Sequence, residues 1–313
     1  MAVENKLNLG KKIFFINPSF DIRNRVIPLL ATWEFEVYTV VNYQYTKELL
    51  QKYPDSICFV CIDDQLTINA WSNFIIAISN NPSFNTVFMG VLSATASSNH
   101  RAHLLLNANI PAGFISLNEN KAELPSKIEQ ILVLNEAKGV RKFVRATCNK
   151  NRALFLQYKR ENKFFRLFLQ DISSAGLLCV TQLQNKEVFK ENMLLKNIDI
   201  QLFSTKVKCN AVVLRTYEKD NLLYIAILFT KGLPFTVKAD IQTFIQRYLQ
   251  ANLEKEVLSM ELDTTDYTQK ITEVEVIEEF LDPIDDAEDL EEIPVMYADD
   301  VYEEDIQLID DTL

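Results

Sequence analysis

No stretch of this 313-residue chain reaches the roughly 18 consecutive apolar residues needed to cross a bilayer, which excludes a spanning helix. The start, MAVENKLNLGKK, has no apolar run behind its basic residues, so it does not read as a secretory signal. The expected location is the cytoplasm. Histidine is nearly missing: His100 and His103, in NHRAHLLL, are the only two. They stand at helical spacing without a matching cysteine or carboxylate cluster, which points to a surface helix rather than a metal site. The five cysteines, Cys58, Cys61, Cys148, Cys179 and Cys209, are an odd set lying mostly inside apolar runs. They read as reduced thiols in cores, not as a disulfide framework. Cys58 and Cys61 make a CxxC, but ICFVCID is a strand-like run without the exposed turn a redox pair needs. No Ser-His-Asp, paired-carboxylate or metal constellation recommends an enzyme. No aromatic–basic stripe recommends nucleic-acid binding, and the acidic end of the chain would repel phosphates.

What is present is a large apolar fraction, 48%, enough to bury a substantial core in two domains or one large one. The net charge of −11 hides an asymmetry. Residues 251–313 hold 23 of the 43 acids and only Lys255 and Lys270 as bases, a net of −21, which leaves +10 on the first 250 residues. A mildly basic body carries a strongly acidic tail.

From Lys11 to about Lys138, apolar runs alternate with amphipathic stretches. KKIFFIN, FEVYTVV, SICFVCID, NTVFMGVL and AGFISL read as five strands buried on both faces, and YTKELLQKY and INAWSNFIIAISN as helices between them. Such alternation predicts a three-layer α/β domain over residues 1–137, with a parallel five-stranded sheet. A last helix is predicted in LPSKIEQILVLNEAKG, with Ile128, Ile131, Leu132 and Leu134 on its apolar face and Gly139 as its stop. In length and strand rhythm this region resembles a two-component receiver domain. That resemblance implies an acceptor aspartate at Asp63 or Asp64 and a hydroxyl at Ser93 or Thr95. The acidic pair expected after the first strand is replaced by Asn17, Pro18 and Ser19, and the lysine after the fifth by Leu117, Asn118 and Glu119. Without clustered carboxylates a divalent cation has little to hold it, so the domain is expected to act as a scaffold for protein contacts. Phosphorylation control at Asp63 is the alternative.

After Gly139 strands follow one another without helices between them: ALFLQY, KFFRLFLQ, GLLCVTQ, IDIQLFS, KVKCNAVVLR and LLYIAILF. They predict an all-β six-stranded antiparallel barrel over residues 138–252. It is closed by a C-terminal helix in ADIQTFIQRYLQ, with Ile241, Phe244, Ile245, Tyr248 and Leu249 on one face. Glycine is scarce, six in all, so Gly176 between two strand signals answers a backbone need, either a positive φ or a close approach to a ligand. Residues 253–313 interleave acids with single hydrophobes and read as a disordered tail. Phe280, Ile293, Met296, Tyr297 and Ile306 recur in it as docking points.

Two motifs carry chemistry. Arg141 and Arg145 lie four residues apart in GVRKFVR, and Asp171, Ser173 and Gly176 follow in DISSAG. A guanidinium fork meets guanine O6 and N7 with two hydrogen bonds and pairs with phosphate oxygens equally well. One arginine can therefore take a base and the other a phosphate, with Lys142 adding charge. Asp171 can accept from guanine N1 and N2, Ser173 can bond a phosphate or a base edge, and Gly176 leaves room for the nucleotide.

RKFVR followed by DISSAG, with AILF and PFTVKADIQTFIQRYL behind them, is similar to the RxxxR, [DN]xSxxG, closing strand and helix of the PilZ domain over residues 138–251. The resemblance implies a receptor for cyclic di-GMP, needing no cofactor, with the arginines on a mobile segment leading into the barrel. It implies Arg141, Arg145, Asp171, Ser173 and Gly176 as the ligand site, an unknown protein partner, and processes such as motility, adhesion or envelope control. Binding would clamp the arginine segment onto the barrel and change the angle between the domains. A nucleotide-independent adaptor acting through the tail is the other reading, as is a tail that folds over Arg141, Lys142 and Arg145 and competes with ligand.

Overall fold

The computed structural model describes residues 9–119, 121–148 and 151–268. Its first half is built on β1 (Ile13–Ile16), β2 (Val37–Val40), β3 (Ile57–Cys61), β4 (Phe88–Ser93) and β5 (Gly113–Ser116). All pair in parallel, in the order β2-β1-β3-β4-β5. This is the doubly wound order that places a crevice at the carboxyl ends of β1 and β3, where the winding reverses. β1 and β3 are buried along their whole length, as strands covered on both faces must be.

Five helices cover the sheet: α1 (Ile27–Thr32), α2 (Thr46–Lys52), α3 (Ile68–Ser79), α4 (Ser98–Asn107) and α5 (Leu124–Leu134). Thr67 and Ser97 cap α3 and α4 by accepting the N–H groups of Ala70 and His100. The stop of α5 differs from expectation. Glu136, at φ +53°, takes the left-handed cap position, with the Ala137 N–H bonded back to Leu132, while Gly139 lies in the next turn at φ +58°. Leu134 is exposed, and Leu124 joins Ile128 and Leu132 in the core instead.

Cys58 and Cys61 both lie in β3, three residues apart. That spacing sends them to opposite faces of a strand, and each joins a different core layer. Burial pushes both thiols well above their ordinary range. The CxxC is therefore two core residues.

The second half is a barrel of β7 (Leu154–Arg160), β8 (Lys163–Ser173), β9 (Gly176–Gln182), β10 (Leu194–Leu202), β11 (Thr205–Lys219) and β12 (Leu222–Phe229). Antiparallel pairing runs β8-β7-β10-β11-β12-β9 and closes through β8 and β9, so no strand of the ring is left with a free edge. A short extra strand, β6 (Arg145–Thr147), was not foreseen; it lies beside the part of β8 that β7 leaves open.

Helix α6 (Phe235–Val257) is nearly twice the predicted length and serves both halves. Ile241, Phe244 and Ile245 plug the barrel core, whereas Leu253 and Val257 belong to the core of the α/β half. Gln250 bonds both backbone groups of Thr39, accepting its N–H and donating to its carbonyl, each at 2.9 Å. One amide side chain thus covers the edge strand β2 where its backbone would otherwise be open to pairing.

The chain after α6 corrects the assignment of residues from 253 onward to an acidic tail. Residues 258–268 form a strap packed on the α/β half: Met260 and Tyr267 are buried, and Tyr267 sits edge-on to Phe74 with ring centroids 5.2 Å apart. The acids here are partners rather than a solvated run. Glu256 pairs with Lys52 and accepts from the Tyr53 hydroxyl, both at 2.7 Å, and Asp263 pairs with Lys47 at 2.9 Å. Burial opposes ionisation of Asp263, but hydrogen bonds from Thr265 and Tyr267 and the Lys47 ammonium outweigh it and hold the carboxyl at about 2. A carboxyl depressed from 3.8 contributes stability that is present above about pH 4 and is lost as pH falls through 2. Asp263→Asn is accordingly expected to lower Tm by about 2 °C at pH 7 and by much less at pH 2, where most of the contribution is gone, read by thermal unfolding at both. The docking points from Phe280 to Ile306, and any autoinhibitory fold-back of the tail, lie outside the described residues. A truncation meant to test the tail has to begin after Thr268, because one after Ala251 removes the end of α6 and the strap.

Candidate functional site

In the β6–β8 ribbon Arg145 stands opposite Ser173 and Thr147 opposite Asp171. Opposed residues in an antiparallel ladder share a face, and so do residues two apart along a strand. Arg145, Thr147, Asp171 and Ser173 therefore line one face, while Ala146 and Ile172 take the other and are fully buried in the barrel core. The expected mobile leader is thus in part a strand, and its register brings the two motifs together. Arg141 lies before β6, exposed like Arg145 and Lys142.

Burial raises the Asp171 carboxyl above its ordinary range, and the charges of Arg145 and Arg141, with the Leu178 N–H, offset only part of the rise. Two cations thus act on one half-buried acid. With the folded value above the unfolded one, Asp171 contributes most below pH 3.8, and its contribution is lost as pH rises through the folded value. Asp171→Asn is expected to unfold about 1–2 °C higher than the unmutated protein at pH 7, with the gap closing below pH 3.8. A variant that is less stable at pH 7 would contradict this.

Ser173 and Gly176 have other surroundings. The Ser173 side chain is buried; its hydroxyl accepts the N–H groups of Ala175 and Gly176 at 3.3 and 3.2 Å and donates to the Gly176 carbonyl. It closes the β8–β9 turn. At Gly176 the backbone is not left-handed, since the positive-φ glycines described are Gly10, Gly113 and Gly139. A Cβ there would sit 2.2 Å from the Ile227 carbonyl oxygen of β12. The positive-φ alternative is thereby overturned, and the structure shows a close approach to the chain's own strand.

Beyond Asp171 the outer wall of the barrel opens into a groove of about 970 Å³, lined among others by Lys163, Arg166, Phe168, Gln170, Val180 and Tyr224. The Arg166 guanidinium lies 4.2 Å from the Phe155 ring centroid. The groove thus has a basic, aromatic wall that reaches Gln170, the residue before Asp171, while the motif residues themselves do not line it.

Three residues that sequence reasoning missed meet at the motifs. Glu34, in the turn between α1 and β2, accepts the Val144 N–H at 3.0 Å with Oε2. Its Oε1 accepts from the Ser174 hydroxyl at 2.6 Å and the Gln242 amide at 2.7 Å. The signal was confined to tertiary structure: more than 100 residues separate Glu34 from each partner.

The crevice of the α/β half holds the receiver-like residues. Asp63 accepts from the hydroxyls of Ser93 and Thr95 at 2.6 and 2.8 Å and from the N–H groups of Ala94 and Thr95. Asn17 donates its amide to the Cys61 carbonyl and the Asp64 carboxylate, in the place where a second acid would be needed. Asn118 bonds the Ala94 carbonyl. Among the described residues no group of three or more His, Cys, Asp or Glu could hold a metal ion, and no helix is long and apolar enough to cross a membrane.

No protein-family model and no curated protein matches the chain. Solved structures similar to parts of it include the PilZ domain with c-di-GMP of YcgR from Escherichia coli, 19% identical with a TM-score of 0.33 over 37% of this chain and 97% of that one. The MrkH–c-di-GMP complex of K. pneumonia is 19% identical with a TM-score of 0.30 over 38% of this chain, which spans about half (54%) of MrkH. A response regulator from Desulfuromonas acetoxidans is 17% identical with a TM-score of 0.31, over 40% of this chain and 98% of that one.

Proposed function

We propose that the chain is a non-catalytic effector that binds cyclic di-GMP on the outer wall of its barrel. The observation that supports this best is the β6–β8 register, which sets Arg145 and Thr147 against Ser173 and Asp171 and leaves both motif arginines exposed beside one half-buried carboxylate. In this reading Arg141 and Arg145 take a guanine Hoogsteen edge and the phosphates, and Asp171 accepts from guanine N1 and N2. The raised Asp171 carboxyl fits an acid awaiting donors. Ser173 and Gly176 act indirectly, by holding the turn that presents Asp171. The groove at Phe168 and Tyr224 offers the second base a wall to stack on.

Binding that favours one arrangement of the two halves would shift the population between them by a factor of ten for about every 1.4 kcal/mol of differential affinity. The α/β half serves as the scaffold that a partner protein reads. Isothermal titration calorimetry tests the binding step. Micromolar or tighter affinity for cyclic di-GMP, with none for cyclic di-AMP, is expected, and the stoichiometry distinguishes one ligand from a stacked pair. No heat from folded protein overturns the proposal.

A further inference from the structure

We infer that Glu34 is the positioning residue through which ligand binding at the barrel is coupled to docking of the α/β half, an inference that rests on the cyclic di-GMP reading above. A single carboxylate of the α/β half accepts hydrogen bonds from three separate places. Val144 lies between the two motif arginines, Ser174 lies in the turn between Asp171 and Gly176, and Gln242 is on α6. The Val144 N–H fixes the peptide through which the chain leaves β6 toward Arg141. The Ser174 hydroxyl fixes the turn that follows Asp171. Both arms of the ligand site are thus referred to one point outside the barrel, and the same point is tied to the helix that carries the barrel onto the α/β half. Gln242 also donates to the Thr32 carbonyl at 3.2 Å, which doubles that tie.

Two effects of the carboxylate oppose each other. Its negative charge near Arg141 and Arg145 weakens their attraction for phosphate. Its hydrogen bonds order the arginine segment before ligand arrives, which removes part of the entropy cost of binding. Three donors already compensate the charge, and exposed charges are screened within about 10 Å, so the ordering effect wins. Binding couplings are reciprocal: if docking through Glu34 favours the ligand, the ligand favours docking by the same factor.

The test combines calorimetry with interdomain distances by pulsed electron resonance. Spin labels on Asn99→Cys in α4 and Lys219→Cys in β11 use exposed positions, and the five native cysteines are all buried. For the unmutated protein, cyclic di-GMP is expected to narrow the distance distribution. Glu34→Ala is expected to bind about tenfold more weakly, and to give a distribution that stays broad with and without ligand. Glu34→Gln, which removes the charge and keeps one acceptor, is expected to fall between them; binding tighter than that of the unmutated protein would overturn the inference. Ser174→Ala and Gln242→Ala each remove one donor and move both readouts the same way by less, so the result does not hang on one variant folding well. Unmutated protein that binds, beside a Glu34→Ala variant with equal affinity and the same ligand-induced narrowing, overturns this inference alone. Unmutated protein that does not bind overturns the binding reading and this inference together.

Discussion

Replacing Arg141 and Arg145 together by alanine is expected to weaken cyclic di-GMP binding by about 10²- to 10⁴-fold while leaving Tm within about 2 °C of the unmutated protein. Hydrogen bonds to charged groups contribute about 1.5–3 kcal/mol each, so two guanidinium groups aimed at one dianionic ligand carry about 3–6 kcal/mol. Arg145 keeps its place in β6 through backbone pairing, and Arg141 lies before the strand, so neither truncation disturbs the barrel core. Single variants are expected to lose about 10- to 100-fold each. Their sum need not equal the double variant, because both side chains touch the same ligand. Arg→Lys exchanges should recover little, since a lysine lacks the planar fork that meets a guanine edge. Calorimetry at fixed ionic strength reads all of these. A double variant within a factor of ten of the unmutated protein would remove the arginines from the site.

Gly176→Ala is expected to destabilise the protein by about 3 kcal/mol, through overpacking rather than through any contact with ligand. The added Cβ would meet the Ile227 carbonyl oxygen at 2.2 Å, a backbone atom that the pairing of a closed barrel holds in place. β9 and β12 pair along seven residues, and Gly176 opposite Leu228 is the last rung. A shift there reaches the β8–β9 turn, hence Ser173 and Asp171. Chemical denaturation separates this account from the alternative. If glycine were present to make room for a nucleotide, Gly176→Ala would keep full stability and lose only affinity. A large loss of stability without ligand is what the packing predicts.

Much of the fold was legible because local pattern and tertiary demand agree. Continuous apolar runs such as IFFI and ICFVC marked strands buried on both faces, and alternation in β7 and β8 marked a barrel with one wet side. β6 was missed because three residues, with an exposed arginine at one end, carry no periodicity; the free side of β8 makes it a strand. The length of α6 was missed for a related reason. Its apolar face changes partner at Leu249, and the acids after it look like the start of a polar tail until Lys47, Lys52 and Tyr53 are seen beside them.

At the candidate site the sequence supplied residue types and order but not their division of labour. The β6–β8 register sets Thr147 against Asp171 and Arg145 against Ser173, and the charges of Arg145 and Arg141 act on the Asp171 carboxyl. Ser173 and Gly176 have bonds and contacts in the β8–β9 turn that spacing does not reveal, since a hydroxyl that accepts two N–H groups and a glycine against a carbonyl read in sequence like residues that face a ligand. Glu34, Ser174 and Gln242 could not be found by any motif, because an interdomain carboxylate leaves no pattern along the chain.

Hydrogen–deuterium exchange with and without saturating cyclic di-GMP tests the central claim most directly, because it reports where the ligand acts as well as whether it binds. Protection concentrated in residues 140–148 and 169–178, with little change in β10 and β11, is the predicted result. Protection that extends to the groove at Phe168 and Tyr224, where the second base would stack, agrees with it; protection confined to other parts of the barrel, or none in the arginine segment, would contradict the account.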